Sequence, residues 1–172
     1  FNVIIKELYV DMDGVLANFE KRFNELFREP SLTDYPLSNS AKAKKFKKEF
    51  KEFIVGNNFA TLEPMPDFHQ AALFLNKVAQ KTHVYILSST ANEEYLREIS
   101  RQKKEWLKKY DIPFYPIFVP GKKLKFFYSK PGRVLIDDTA VTITQWNKMG
   151  GVGIHHKNWL DTIRQYNVLL EK

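Results

Sequence analysis

The 172-residue sequence contains no cysteine. This absence excludes a disulfide scaffold, a thiolate zinc site and a cysteine nucleophile. The sequence also lacks an apolar run of about 18 residues, so a transmembrane helix is not expected. The first residues, Phe1 to Lys6, do not show the basic and then apolar order of a signal peptide. We therefore expect a cytoplasmic protein that does not associate with a membrane.

Acidic residues are outnumbered by basic ones. Lys and Arg total 27 against 20 Asp and Glu, a net charge of +7. The excess lies in residues 42–52, 101–109 and 122–133, and the rest of the chain is acidic. It suggests an anionic partner, whether a nucleotide, a nucleic acid or an acidic lipid. For residues 42–52, however, the helical spacing of Phe46 and Phe50 places the lysines on the opposite, solvent-facing side.

The composition is that of a globular domain, since 44% of the residues are hydrophobic and 15% are aromatic. Apolar segments with strand character alternate with amphipathic helical segments. The strands are predicted near residues 7–10, 83–87, 115–119, 133–136 and 151–154. This order predicts an α/β, Rossmann-like fold, a parallel sheet with helices on both faces. Residues 29–64 fit no strand, which predicts a small helical cap inserted into a core of residues 1–28 and 65–172.

Polar side chains follow three of the predicted strands. They are Asp11 and Asp13, then Ser88 and Ser89, then Asp137 and Asp138. In an open parallel sheet, ligands bind at the carboxyl ends of the strands, so these side chains should meet in one crevice. Asp11 and Asp13 would project to the same side while Met12 points into the core. Clustered carboxylates repel one another unless a cation neutralises them, and an all-oxygen ligand set suits Mg²⁺.

Asp11 and Asp13 also permit other interpretations. A calcium-binding EF-hand loop starting at Asp11 would need Glu at its twelfth position, which is Arg22 here. An Asp-x-Asp site of the glycosyltransferase type would bind a metal and a nucleotide sugar, but it does not require the acidic pair at 137–138. The remaining alternative is two solvated aspartates in a turn. The pair His155 and His156 lacks further nitrogen or thiolate ligands at a suitable spacing, so zinc is not favoured.

Lys103 lies within the apolar stripe of a predicted helix over residues 93–110. That stripe is formed by Tyr95, Leu96, Ile99, Trp106, Leu107 and Tyr110. A lysine there is unfavourable unless its ammonium group reaches an anion or water. We therefore expect Lys103 to reach toward a bound phosphate, the alternative being a lysine that extends to solvent at the rim of the helix.

Four motifs in order resemble one enzyme superfamily. They are residues 11–19 (DMDGVLANF), residues 86–89 (ILSS), Lys103 three positions before Trp106, and residues 135–138 (LIDD). This pattern resembles the haloacid dehalogenase-like phosphatases. Within them it is most similar to the 5′(3′)-deoxyribonucleotidase family, including its phage-type nucleotidase-like members. The family often has proline after the second motif, whereas this chain has Thr90.

The resemblance implies roles for the acidic residues. Asp11 would be the nucleophile that forms an aspartyl-phosphate, and Asp13 would act as the general acid and base. Mg²⁺ would be bound by the Asp11 carboxylate, the main-chain carbonyl of Asp13, and Asp138. Asp137 would orient these ligands from a second layer or bind the metal through water.

The resemblance also implies which residues bind the substrate. Ser88, Ser89 and Lys103 would bind phosphate oxygens. A further phosphate-binding lysine matches best at Lys122, with Lys123 and Lys125 as competing candidates. Phe19 and Phe59 would line the pocket for the base and sugar.

The sequence therefore predicts a Mg²⁺-dependent phosphomonoesterase that acts on nucleoside monophosphates, with deoxyribonucleotides preferred. One alternative is a phosphatase for phosphorylated nucleic-acid ends, for which the basic segments would form a groove. Another is a non-catalytic basic domain that binds nucleic acid, and a third is a purely structural domain. Nothing in the sequence indicates the oligomeric state.

Overall fold

The computed structural model describes residues 4–28 and 41–171. Five parallel strands form one sheet in the order β3-β2-β1-β4-β5. The strands are β1 (Glu7–Val10), β2 (His83–Ser89), β3 (Tyr115–Val119), β4 (Arg133–Asp137) and β5 (Val152–His155). This arrangement confirms the predicted α/β, Rossmann-like fold.

Six helices are described. They are α1 (Phe19–Phe27), α2 (Ala41–Val55), α3 (Phe68–Val78), α4 (Leu96–Lys109), α5 (Ala140–Lys148) and α6 (Trp159–Glu171). Two 3-10 helices span Asn58–Ala60 and Lys122–Tyr128. None of these helices combines the length and the apolar character needed to cross a bilayer, within the two described ranges.

Alternation along β1 separates two apolar cores. Leu8 and Val10 belong to the larger core, whereas Tyr9 packs on the other face of the sheet with Trp146 of α5. A period of two residues is expected where both faces of a strand are covered. The sheet is therefore buried on both sides, which leaves its carboxyl edge as the place where polar groups can gather.

The register of the central strands aligns their ends. Val10 pairs with Ile86 of β2 and with Ile136 of β4. The residue after β1, Asp11, therefore lies level with Asp137. Its backbone N–H donates to the Ile136 carbonyl at 3.0 Å, so the β1–β4 pairing extends to the acidic residue itself.

The inserted segment was predicted as residues 29–64, and its first part, residues 29–40, lies outside the described residues. We call α2 and the following 3-10 helix, residues 41–60, the cap segment. The chain leaves the core and returns to it at one place, because Asn18 N–H donates to the Glu63 carbonyl and Met65 N–H donates to the Leu16 carbonyl, both at 2.8 Å. The division into core and cap domains stays a prediction.

The cap segment buries an aromatic face. Phe46 of α2 packs against Phe23 of α1 with ring centroids 5.6 Å apart, and Phe53 packs against Phe19 at 5.0 Å. The lysines of α2 are exposed, as the helical spacing predicts: Lys42, Lys44, Lys45, Lys47, Lys48 and Lys51. The positive charge of this helix therefore faces solvent and does not fill the core.

Candidate active site

Three carboxylates meet at the carboxyl edge of the sheet. One oxygen from each of Asp11, Asp137 and Asp138 lies within 4.8 Å of the others, a separation that fits a shared metal ion. Asp11 and Asp137 are buried, and Asp138 is exposed at the edge of the cluster. An all-oxygen set of this kind suits Mg²⁺. The cluster is thus the candidate metal site of the described residues.

Gly14 allows Asp138 to join the cluster. Its φ of +77° is in the left-handed region, and a Cβ atom at this position would lie 2.1 Å from Oδ2 of Asp138. Any other residue would push the carboxylate away and would also be strained in its backbone. Met12, two residues before Gly14, is buried and accepts three backbone N–H groups at its carbonyl, as expected for a tight turn after β1.

The carboxylates raise one another's proton affinity. Burial raises the pKa of Asp11 well above its usual range, and the neighbouring Asp137 charge raises it further. Desolvation of its carboxyl group, together with the Asp137 charge, raises the pKa of Asp138 to about 6. The part of each shift that comes from Asp137 reflects negative charge gathered at one place, and such a cluster favours binding of a further cation.

Lys125 is the cation that the structure places in this cluster. Its Nζ lies 2.9 Å from Oδ1 of Asp11 and 2.8 Å from Oδ2 of Asp137. Burial lowers the pKa of Lys125, but the Asp11 and Asp137 charges outweigh this effect and raise it above its usual value. Lys122, preferred from the sequence, lines the same cavity. The assignment of Lys122 stays a prediction, and the two carboxylate contacts support Lys125 among its competing candidates.

Lys103 is buried on the apolar face of α4, where the sequence predicted it, and is 1% exposed. Its ammonium group donates to Oδ2 of Asp13 at 2.9 Å, to Oγ of Ser88 at 2.7 Å and to the carbonyl of Ser89 at 2.8 Å. These three bonds use all three of its donors. The structure thus brings together residues of three motifs around one cation.

Asp13 points toward the same space with one free oxygen. While Oδ2 accepts from Lys103, the buried Oδ1 has no hydrogen-bond partner within the described part of the chain. An oxygen of this kind can exchange a proton with a ligand or water placed next to it. Asp13 is absent from the carboxylate cluster, so a contribution of this residue to a metal site would come from its main chain.

A cavity of about 860 Å³ opens from the acidic cluster toward the cap segment. Its wall combines carboxylates from the edge of the sheet with aromatic side chains: Asp11, Asp13, Asp137 and Asp138, and Phe19, Phe46, Phe50, Phe59 and Tyr95. Both aromatic residues predicted from the sequence therefore lie on its wall. They are nearly buried and stack on each other, with ring centroids 5.5 Å apart and an angle of 5°.

Two features of the site were not predicted from the sequence. Phe50 and Tyr95 form an edge-to-face pair, 5.7 Å between centroids, that joins the cap segment to the chain just before α4. Gln102 is fully buried beside Lys103 and binds the backbone of the cap segment. Its position three residues after Ile99 and four before Trp106 places it on the apolar stripe, a signal that could have identified it.

Comparison with known proteins agrees with this geometry. A sequence model of the family described as "5' nucleotidase, deoxy (Pyrimidine), cytosolic type C protein" matches residues 3–159. No curated protein matches the sequence.

Solved structures share the fold. A hydrolase from Streptococcus pneumoniae is similar with a TM-score of 0.55 and 13% identity, over 95% of this chain and 99% of that one. A HAD family enzyme from Bacteroides thetaiotaomicron, solved as a magnesium complex, is similar with a TM-score of 0.51 and 16% identity, over 94% of this chain and 99% of that one.

Proposed function

The chain belongs to the deoxy (pyrimidine), cytosolic type C 5′ nucleotidase family, and from this premise we propose that it is a Mg²⁺-dependent phosphatase of nucleoside monophosphates, deoxyribonucleotides in particular. Family membership makes it a phosphoric monoester hydrolase of the 5′-nucleotidase type. The observation that carries the proposal is the lining of the cavity, which combines four carboxylates and the buried Lys125 with an aromatic wall. That combination suits a phosphate attached to a nucleoside. The cytosol is the compartment that the family description favours.

Asp11 is proposed as the nucleophile. Its Oδ1 is held by the Met12 N–H at 2.8 Å and by Lys125, which leaves Oδ2 for attack on phosphorus. Attack would form an aspartyl-phosphate and release the alcohol, and water would then hydrolyse that intermediate. Asp13, with its free Oδ1, would protonate the leaving oxygen and later deprotonate the water.

The residues present fit a bound Mg²⁺. Asp11 and Asp138 would bind it directly together with the Asp13 carbonyl, and Asp137 would orient the site, since its carboxylate already accepts from Lys125 and from the Thr139 N–H. When bound, the ion would shield the nucleophile's charge from the phosphate. Ser88, Ser89 and Lys125 are proposed to hold the phosphate oxygens and balance their charge. Lys103 would join them by exchanging one of its three hydrogen bonds for a phosphate oxygen.

Release of inorganic phosphate from deoxy- and ribonucleoside monophosphates, measured with and without Mg²⁺, tests the proposal. We expect turnover only with the metal, and its loss in Asp11→Asn. The matched control is Asp111→Asn, an exposed aspartate after α4, which should behave as the wild type. Unchanged turnover in Asp11→Asn would refute the assigned nucleophile.

One observation favours a second substrate class. Lys47 of the cap segment and Lys122 and Lys123 of the core line the same cavity. Cations on both sides of an opening suit the phosphates of a nucleic-acid end. Oligonucleotides with a 3′ or 5′ phosphate belong in the same assay, and faster, salt-sensitive turnover of these than of the monophosphates would favour this alternative.

A further inference from the structure

We propose that Phe59 is a positioning residue whose ring holds the ammonium group of Lys103 in place for the substrate phosphate. The proposal rests on the proposed function in one respect, namely that Lys103 binds phosphate. It differs from the expectation that Phe59 stacks on a nucleobase.

The contact between ring and cation is direct. Nζ of Lys103 lies 5.1 Å from the centroid of Phe59, within the range of a cation–π interaction. Lys103 is 1% exposed and Phe59 is 3% exposed, so water does not screen this contact. A desolvated cation–π pair is stronger than an exposed one.

The ring has little surface left for a base. Phe19 stacks on it, and Phe50 and Phe53 form edge-to-face pairs with it at 6.0 Å and 4.9 Å between centroids. The ring of Phe59 is therefore enclosed by other rings and by Lys103, and its effect on the site comes mainly from these contacts. A base in the cavity would meet other parts of the aromatic wall.

The helix that carries Lys103 also fixes the backbone of Phe59. Oε1 of Gln102 accepts the Phe59 N–H at 3.0 Å, and its Nε2 donates to the Ile54 carbonyl at 2.8 Å. Adjacent residues of α4 thus hold the main chain and the ring of the same cap residue. The ammonium group, held on its other sides by Asp13, Ser88 and Ser89, has a defined position before any ligand arrives.

The two roles for Phe59, positioning Lys103 and stacking on a base, predict that its substitution affects different substrates. Three substrates or ligands distinguish the two roles. They are a nucleoside monophosphate, p-nitrophenyl phosphate, which has no nucleobase, and inorganic phosphate, whose binding is measured by calorimetry. We expect Phe59→Leu to weaken inorganic phosphate binding about 5- to 30-fold, the factor that corresponds to a cation–π contact. The kcat/KM for both esters should fall by a similar factor. Phe59→Tyr, which keeps an aromatic face, should restore most of the loss.

Phe53→Leu is the matched control. Phe53 is fully buried in the same aromatic cluster and is described without a contact to Lys103, so its loss affects packing alone. We expect lower thermal stability in both leucine variants but weaker phosphate binding only in Phe59→Leu. In a background that carries Lys103→Met, Phe59→Leu should cause no further loss of phosphate binding, because the cation it positions is gone.

Three outcomes would overturn the inference. They are a loss in Phe59→Leu confined to the nucleotide, a full further loss in the Lys103→Met background, and a wild-type protein that does not bind phosphate. Failure of the proposed function is a separate result. If the wild type hydrolyses no ester but binds inorganic phosphate in a way that depends on Phe59 and Lys103, the function fails and the positioning role stands.

Discussion

Lys125 is shared by the two buried carboxylates of Asp11 and Asp137. Its removal would leave both charges in a low-dielectric environment without their partner, and breaking a buried ion pair typically costs about 3–5 kcal/mol. We therefore expect Lys125→Met to lower the free energy of unfolding by about that amount in metal-free protein. Urea denaturation followed by tryptophan fluorescence measures it, since Trp106 and Trp146 are fully buried.

The control for Lys125 is Lys123→Met, an exposed position on the same 3-10 helix, for which a change within about 0.5 kcal/mol is expected. Mg²⁺ should restore part of the stability of Lys125→Met, because the ion and the ammonium group neutralise the same carboxylates. Equal stability of the two methionine variants would contradict the role assigned to Lys125.

Gly14 determines whether Asp138 can face the cluster. In Gly14→Ala the new Cβ would collide with Oδ2 of Asp138 and the backbone would remain at a positive φ. We expect Mg²⁺ affinity, measured by calorimetry, to fall at least tenfold, the lower range for a disturbed ligand shell. Gly121→Ala, where a Cβ meets nothing nearer than 3.7 Å, controls for backbone strain alone, since this glycine also has a positive φ. A similar loss of affinity in both variants would contradict the steric explanation.

Individual elements show what sequence reasoning could establish. The strands and the burial of Lys103 followed from apolar spacing, because a sheet covered on both faces and a helix with one apolar stripe leave strong periodic signals. The choice between Lys122 and Lys125 did not follow. In a 3-10 helix, residues three apart lie on the same side, so spacing cannot distinguish them. Only the distance to Asp11, a residue more than a hundred positions away, favours Lys125.

The link between α4 and the cap segment depends on Gln102. In Gln102→Leu the buried Phe59 N–H would lose its partner, whereas the Ile54 carbonyl would keep the Asn57 N–H. An unsatisfied buried group costs about 1–3 kcal/mol. We expect a lower free energy of unfolding and faster hydrogen exchange of the Phe59 amide. Lys104→Leu, two residues along on the exposed side of α4, should leave that amide protected. Unchanged exchange at Phe59 in Gln102→Leu would show that the cap segment is held by other contacts, such as the ring contact between Phe50 and Tyr95.

Positive and negative charge lie in different parts of the molecule. The net charge of +7 comes mainly from exposed lysines such as those of α2, while the buried site gathers negative charge. The excess of positive charge therefore lies on the surface of the protein. The acidic cluster is the place where a cation would bind. Proton binding and metal binding compete for that cluster, which connects the site to the stability of the whole fold.

That competition predicts that the stabilising effect of the bound proton falls as the pH rises, while the stabilising effect of Mg²⁺ grows. The pKa of Asp138 is raised from 3.8 to about 6 in the folded protein, so the folded state binds this proton more tightly than the unfolded state does. The contribution of this proton to the free energy of unfolding is complete below the pKa of Asp138 in the unfolded state. It is lost as the pH rises through about 6. Asp11, whose pKa is also raised, acts in the same direction.

Mg²⁺ must displace that proton, so its stabilising effect should grow over the same range in which the proton's effect is lost. We expect a small increase in melting temperature on adding Mg²⁺ at about pH 5 and a larger one at about pH 7.5, measured by scanning calorimetry. Asp138→Asn, which cannot bind the proton and is a weaker ligand, should show a small increase at both. A metal effect independent of pH in the wild type, or one that survives in Asp138→Asn, would place the ion away from this cluster.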